Sequence, residues 1–426
     1  MANIALVTLG SAGDVHPMLA LAGGLVARGH SVQLLTNPAF AQKAAQVGCP
    51  LVPVGEALDY ERTLAHPKLW HPVDGLGVMW RYLLRPAMAP TLQALENARQ
   101  RGQVDLVLAS PVAFGARVFQ EASGVPLVSV YTAATMLRSV HPPMTLAQWR
   151  IPAWVPSLAV KTAWALLDRC KLEPLVRGAV AELRAGAGLP PLTAQQPVWA
   201  RWMHSPEAGV TLFPDWFAPP APDWPAPVQV GGFVLFDGDQ ATGWPPGLAD
   251  FLDRGPPPVV WMPGTAMLHG ADFYAAAVQA CRAMGRRGVL LGAVPEGVVP
   301  AGDGAFWSGP YAPFGLVLPR AAAVVHHGGV GTTAQALRAG LPQVVLPQAY
   351  DQFDNAMRVE HLGVGVTCGR AQAGGLQASL SWVLGSVRVA RRCSDMAARM
   401  AQDSGLGLQR VCDRVEAILN PGRTCA

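Results

Sequence analysis

Two short stretches in the second half of the chain carry residues suited to gripping a phosphorylated sugar. Val324-Val325-His326-His327-Gly328-Gly329-Val330-Gly331-Thr332-Thr333 reads as an apolar strand, a glycine turn and the start of a helix, and Tyr350-Asp351-Gln352 follows the next strand. Such a turn aims backbone N–H groups and the positive end of a helix dipole at whatever sits above it. His326, at the edge of the turn, adds a donor for phosphate oxygen, and the Asp351-Gln352 pair suits vicinal hydroxyls. Phosphate plus polyol describes a nucleotide sugar. Taken alone, the turn is as well explained by a structural strand-to-helix connection. The Asp-Gln pair shifts the balance, because both motifs follow successive strands and open on the same sheet edge.

A third constellation lies at the front of the chain, Gly10-Ser11-Ala12-Gly13-Asp14-Val15-His16-Pro17. As a dinucleotide fingerprint it is poor, since the third glycine of Gly-x-Gly-x-x-Gly is missing. Asp14 has an ordinary structural reading as a cap of the helix that follows. Asp237-Gly238-Asp239 has the Asp-x-Asp spacing of a divalent-metal chelator. Its surroundings are rich in Pro and Gly, so it reads as a polar turn; neither a metal nor another cofactor is expected.

Composition bounds the partners. The 426 residues exceed one hydrophobic core, so two domains are expected. Hydrophobic residues make up 51% and charged residues 14%, and the mean hydropathy of +0.25 suggests a greasy ligand or peripheral contact with the inner membrane. The net charge of +4 is spread thinly, with Arg286-Arg287 and Arg391-Arg392 as isolated pairs, so nucleic acid is not an expected partner. The seven cysteines (49, 170, 281, 368, 393, 412 and 425) show no Cys-x-x-Cys spacing and read as thiols of a reducing compartment. The N-terminus reads as a strand and not as a signal peptide, and the apolar runs are short for a spanning helix, so a cytoplasmic location is expected.

The elements that would position these residues follow a β-loop-α-β rhythm. Residues 3–8 read as a strand, Met18 to Arg28 as a helix and Ser31–Thr36 as a second strand, and the pattern recurs around Asp105–Ala109 and Pro126–Val130. That is the unit of a doubly wound parallel sheet. Residues 140–225 are rich in Trp and Pro and suit an insertion that shapes a substrate pocket. A second α/β series begins at Pro258–Met262. The expected organisation is an N-terminal acceptor-binding domain over 1–225, a linker over 226–247 and a nucleotide-sugar-binding domain over 248–400. A C-terminal helix over 401–426 would be free to pack back on the N-terminal domain, and a ligand cleft is expected between the two Rossmann-like halves.

The second half resembles glycosyltransferase family 1, enzymes of the GT-B fold that take a sugar from a nucleoside diphosphate. The resemblance rests on His326, the glycines 328 to 331 and Asp351-Gln352. It implies that His326 with Gly328, Gly329, Val330, Gly331 and Thr332 holds the diphosphate, helped by Thr265 of the strand-end pair Gly264-Thr265. By the same likeness Asp351 and Gln352 hold sugar hydroxyls, and the nucleobase packs near Tyr311, Ala312 and Phe314. The acidic ribose ligand of plant members is absent, Ala334 falling at its place. The front loop resembles the family's acceptor loop, in which a glycine is followed by the catalytic base; many members have His there, and the aligned residue is Asp14. Inverting transfer needs a group that removes the acceptor proton, and desolvation makes a carboxylate a better base. The Asp partner of a His base is replaced by Ser110. Ser11 and His16 would line the acceptor loop.

Blocks at 10–15, 202–206, 213–220 and 351–356 further resemble the catalytic chains of rhamnosyltransferases in rhamnolipid biosynthesis. They imply dTDP-L-rhamnose as donor and a hydroxyalkanoyloxyalkanoate lipid as acceptor. UDP-glucose as donor, and a terpenoid, sterol or polyketide acceptor, stay open beside them. Rival readings are a nucleotide-sugar epimerase, a non-catalytic nucleotide-sugar-binding auxiliary protein and an NAD-dependent oxidoreductase. Thr36-Asn37, where the last would place an acidic residue, counts against it.

Overall fold

Ile4 and Leu6 point to one face of the first strand and Ala5 and Val7 to the other, and all four are fully buried. Two buried faces demand a near-continuous apolar run and a layer of helices on each side, which is how parallel sheets are built. A computed structural model describes all residues except 73, 142, 147, 226, 237–242, 265–269, 301, 370, 404 and 420–426. The chain divides into two units, Met1–Phe236 with Gly405–Ala426, and Asp237–Ser404. Each is an α/β unit with a parallel sheet.

The first unit carries β1 (Asn3–Val7), β2 (Ser31–Thr36), β3 (Leu51–Pro53), β4 (Leu106–Ala109), β5 (Leu127–Tyr131), the antiparallel pair β6 (Met144–Leu146) and β7 (Trp149–Ile151), then β8 (Ala208–Thr211) and β9 (Val228–Val230). The order of the main sheet is β3-β2-β1-β4-β5-β8-β9, with every pair parallel. Residues 228–230, which the composition assigns to the linker, are its edge strand. Pro227 before it and Gly231 after it disguise three residues that alternate Val-Gln-Val.

One face of this sheet is covered by the helices Arg85–Gln100, Phe114–Ser123 and Glu173–Gly186, and the other by Ala12–Ala27 and the C-terminal helix Leu406–Leu419. Val411, Cys412 and Val415 of that last helix enter the same core as Leu25 and Leu34. Arg28 then pairs with Asp413 at 2.6 Å and Glu416 at 2.9 Å. Gly407 lies so close to Gly232 that a Cβ on Gly232 would meet its Cα at 2.7 Å, which fixes two glycines at the crossing.

The second unit has β10 (Val259–Met262), β11 (Gly288–Leu291), β12 (Phe306–Gly309), β13 (Ala323–His326), β14 (Gln343–Val345) and β15 (Gly365–Thr367). They are ordered β12-β11-β10-β13-β14-β15 and all parallel. Both sheets reverse direction once, between β1 and β4 and between β10 and β13. Loops diverge there, leaving room outside the carboxyl ends of the strands, where ligands of open α/β sheets bind. No helix among the described residues is long and apolar enough to cross a membrane.

Candidate active site

The reversal point of the second unit brings two glycine loops together. Met262 and His326, the last residues of β10 and β13, are register partners. Past them, Gly264 (φ +108°) and Gly328 (φ +94°) take left-handed conformations that favour glycine. The His327 ring lies between the loops. A Cβ on Gly264 would come within 3.0 Å of it, and one on Gly329 within 2.5 Å of Nε2. Burial pushes His327 down to about 4, opposed by a hydrogen bond to the Met262 backbone, so its imidazole is neutral at pH 7.

Gly329 is the N-cap of the helix Val330–Arg338. The first helix bond closes from Thr333 N to Gly329 O at 3.0 Å, and the Thr333 hydroxyl donates to the same carbonyl at 3.0 Å. The N–H groups of Val330, Gly331 and Thr332 thus belong to the open first turn, whose partial positive charge suits an anion.

His326 itself does not face this turn. It is fully buried, its Nε2 lies 3.0 Å from Gln343 Oε1, and its Nδ1 accepts the Gly328 amide at 3.1 Å. Since Nδ1 accepts, Nε2 carries the proton. Both ring nitrogens of His326 are thus engaged inside the protein, against the expectation that it meets the diphosphate, and the ring beside the two glycine loops is that of His327. Gly328 is corrected along with His326, because its amide is spent on His326 and its carbonyl accepts Asn355 Nδ2 at 2.8 Å.

After β14 the chain reaches Tyr350, which has φ +55° despite its side chain. That left-handed turn costs about 1–2 kcal/mol and sets the direction of Asp351, the N-cap of the helix Gln352–Leu362. Asp351 is half-buried and its Oδ2 accepts Asn355 Nδ2 at 2.8 Å. Gln352 is 4% exposed, and its Oε1 accepts the amides of Gln348 at 2.8 Å and Ala349 at 3.2 Å. Its acceptor is thus committed to holding the loop, so the expected sugar contact is reduced to its NH2 end. In the nucleobase region Tyr311 is 39% exposed and stands 6.2 Å from Phe314 between ring centroids. Ala312 is fully buried in the core, which leaves only its backbone to meet a base. Thr265, Asp237 and Asp239 lie outside the described residues. Among the described residues no group of three His, Cys, Asp or Glu side chains gathers as a metal site would require.

The reversal point of the first unit carries Asp14. Ser11 caps the helix Ala12–Ala27, accepting Gly13 N at 3.3 Å, while Asp14 Oδ2 accepts the Ser11 amide at 2.9 Å and the Ser11 hydroxyl at 3.3 Å. This is a capping box in which Ser11 is the N-cap and Asp14 its N3 partner, so Asp14 supports the helix start without being the cap residue itself. The same half-buried carboxyl is pushed by burial up to about 6, against the Ser11 amide and hydroxyl that hold it down. It sits near enough to Tyr60 that its charge, added to burial, raises that phenol to about 12. His16 packs against Phe236, at 5.1 Å between ring centroids, and Phe40. On the neighbouring strand end, Ser110 donates its amide to Val7 O at 2.9 Å, and its buried hydroxyl has no hydrogen-bond partner.

Two family descriptions match these halves: the glycosyltransferase family 28 N-terminal domain over residues 4–142, and the erythromycin biosynthesis protein CIII-like C-terminal domain over 288–413. Across 445 aligned residues the chain is 31% identical to O-mycaminosyltylonolide 6-deoxyallosyltransferase of Streptomyces fradiae, covering 97% of each protein. The chain is a glycosyltransferase of this family. Its fold agrees: the calicheamicin glycosyltransferase CalG4 superposes with a TM-score of 0.73 at 21% identity, over 99% of this chain and 100% of that one. The spinosyn rhamnosyltransferase SpnG, solved with thymidine diphosphate, gives 0.64 at 19% identity over 94% and 96%. As a GT-B glycosyltransferase, the protein uses a nucleotide sugar.

Two side chains the sequence left unassigned matter here. His327 stands beside His326, and Gln343, a polar residue in the apolar run of β14, is the signal that separates them. Asn355 stands one helical turn beyond Asp351 and bonds both it and Gly328.

Proposed function

We propose that this glycosyltransferase moves a hexose from a nucleoside diphosphate to a hydroxyl of an apolar acceptor with inversion and without a metal, Asp14 serving as base. The observation that carries the reading is the His327 ring held between Gly264 and Gly329 beside the open first turn of Val330–Arg338. Those amides and His327 would take the charge that develops on the departing diphosphate. Asp351 would accept from the sugar hydroxyls, and the Tyr311 and Phe314 rings would support the base. Asp14 takes the acceptor proton as its oxygen attacks the anomeric carbon and the carbon–phosphate oxygen bond breaks.

The Streptomyces fradiae relative is named as a transferase acting on O-mycaminosyltylonolide, which supports a natural product as acceptor. The lipid acceptor implied by the rhamnolipid likeness is the second reading. It is favoured by exposed apolar side chains of the first unit, with Trp149, Trp154 and Leu158 at 61%, 82% and 74%. Thermal-shift titration with UDP, dTDP and their glucose and rhamnose conjugates tests the donor side. Stabilisation by one nucleotide series supports the reading, since a ligand at a hundred times its Kd adds about 2.7 kcal/mol. No shift with any of them overturns it. Incubating the stabilising donor with a hydroxyalkanoyloxyalkanoate or with O-mycaminosyltylonolide then separates the two acceptors.

A further inference from the structure

Gly328 is gripped on both sides. Its N–H donates to His326 Nδ1 at 3.1 Å and its C=O accepts Asn355 Nδ2 at 2.8 Å. A Cβ there would lie 2.8 Å from Val345 Cγ1 and 3.0 Å from the Gln352 carbonyl, so the turn cannot be loosened by adding a side chain. The other acceptor of Asn355 Nδ2 is Asp351 Oδ2, also at 2.8 Å. Asn355 is fully buried. Both neighbours are acceptors, so the amide must present its NH2 to them, and its two hydrogens are both used. A single nitrogen thus spans the glycine turn and the carboxylate.

Asp351 begins the helix Gln352–Leu362 with helical dihedrals, and its side chain makes no capping hydrogen bond to that helix. The carboxylate is instead drawn toward Asn355, and the left-handed Tyr350 precedes it. Asp351 has φ −71° and ψ −12°, so its carboxylate is left to interactions other than capping.

We propose that Asn355 is a positioning residue: it fixes the spacing between the glycine turn and Asp351, so that diphosphate and sugar are held in one register. The proposal rests on Asp351 as the sugar contact. Its test uses the full-length enzyme and the nucleotide sugar that stabilises it. Asn355→Leu keeps the volume and removes both donors. It should lower kcat/KM for the nucleotide sugar about tenfold or more, while inhibition by the nucleoside diphosphate alone weakens about threefold at most. Combined with Asp351→Ala, it should add about threefold at most, because the group it orients is gone. Asn355→Ala carries the same comparison if the leucine variant melts below the assay temperature.

Three results would overturn the proposal. Equal losses in sugar transfer and in diphosphate inhibition would make Asn355 a general support of the turn. Losses that multiply in the double variant would show that it does not act through Asp351. Unchanged kcat/KM in Asp351→Ala would remove the sugar contact itself, and the proposal with it.

Discussion

The Asp14 carboxylate lies 2.9 Å from the Ser11 amide, so the group that closes the capping box stands in the first turn of the helix that follows β1. Burial sets its pKa at about 6, above the usual carboxylate range. A base works only when deprotonated, so kcat/KM for the acceptor should rise with pH through about 6 and then level. In Ser11→Ala the hydroxyl that holds the pKa down is lost, and the limb should move to higher pH. The helix also loses its cap, at about 1 kcal/mol. Rate profiles of the two proteins over the acid range check both statements; an unshifted limb contradicts the assignment.

Gly10 tests the same carboxylate from the other side. It has φ +144°, and a Cβ there would stand 2.2 Å from Asp14 Oδ2. Gly10→Ala should displace the carboxylate from its amide and lower transfer about a hundredfold, within the range of general-base contributions. Inhibition by the nucleoside diphosphate, which concerns the other unit, should be unchanged. Steady-state kinetics with a diphosphate inhibition series read both.

The neighbouring histidines should separate cleanly. His327→Ala should weaken the nucleoside diphosphate about tenfold or more, as expected for a hydrogen bond to a charged group, with little change in melting temperature. His326→Ala leaves Gln343 and the Gly328 amide without their partner, and should cost about 1–3 kcal/mol of stability. Calorimetric binding and thermal melting of the two variants distinguish them. The reverse pattern would restore His326 as the phosphate contact.

A stability prediction follows from a buried ion cluster in the first unit. Glu121 accepts Trp202 Nε1 at 3.0 Å and pairs with Arg117 at 3.3 Å and with Arg184. Arg117 is 8% exposed and Arg184 5%, so Glu121→Ala strands two buried cations and should cost about 3–5 kcal/mol. Denaturant melts give the value, and a loss below about 1 kcal/mol would place the cluster among weak surface pairs.

The repeating strand, glycine turn and helix made the two parallel sheets legible, because β1, β4, β10 and β13 are apolar runs ended by residues that can turn sharply. The choice between His326 and His327 was not legible from β13 itself. That strand is buried on both faces, so its pattern carries no alternation to show which side chain points outward. The deciding residue is Gln343 on a neighbouring strand, which stands opposite Val324 and reaches His326 two residues further on. Asn355 was hidden differently. It stands one turn from Asp351, a spacing readable in the sequence, but its second partner is a backbone carbonyl that no side-chain pattern reveals. Edge strand β9 was masked by the prolines and glycines around it.

The central claim is that Asp14 removes the acceptor proton while the other unit binds the donor. Transfer by Asp14→Asn, measured beside its affinity for the nucleoside diphosphate, tests it most directly. The account predicts a fall in kcat of about a hundredfold to ten-thousandfold with diphosphate affinity within about twofold of the parent. Transfer at the parental rate by that variant would contradict it.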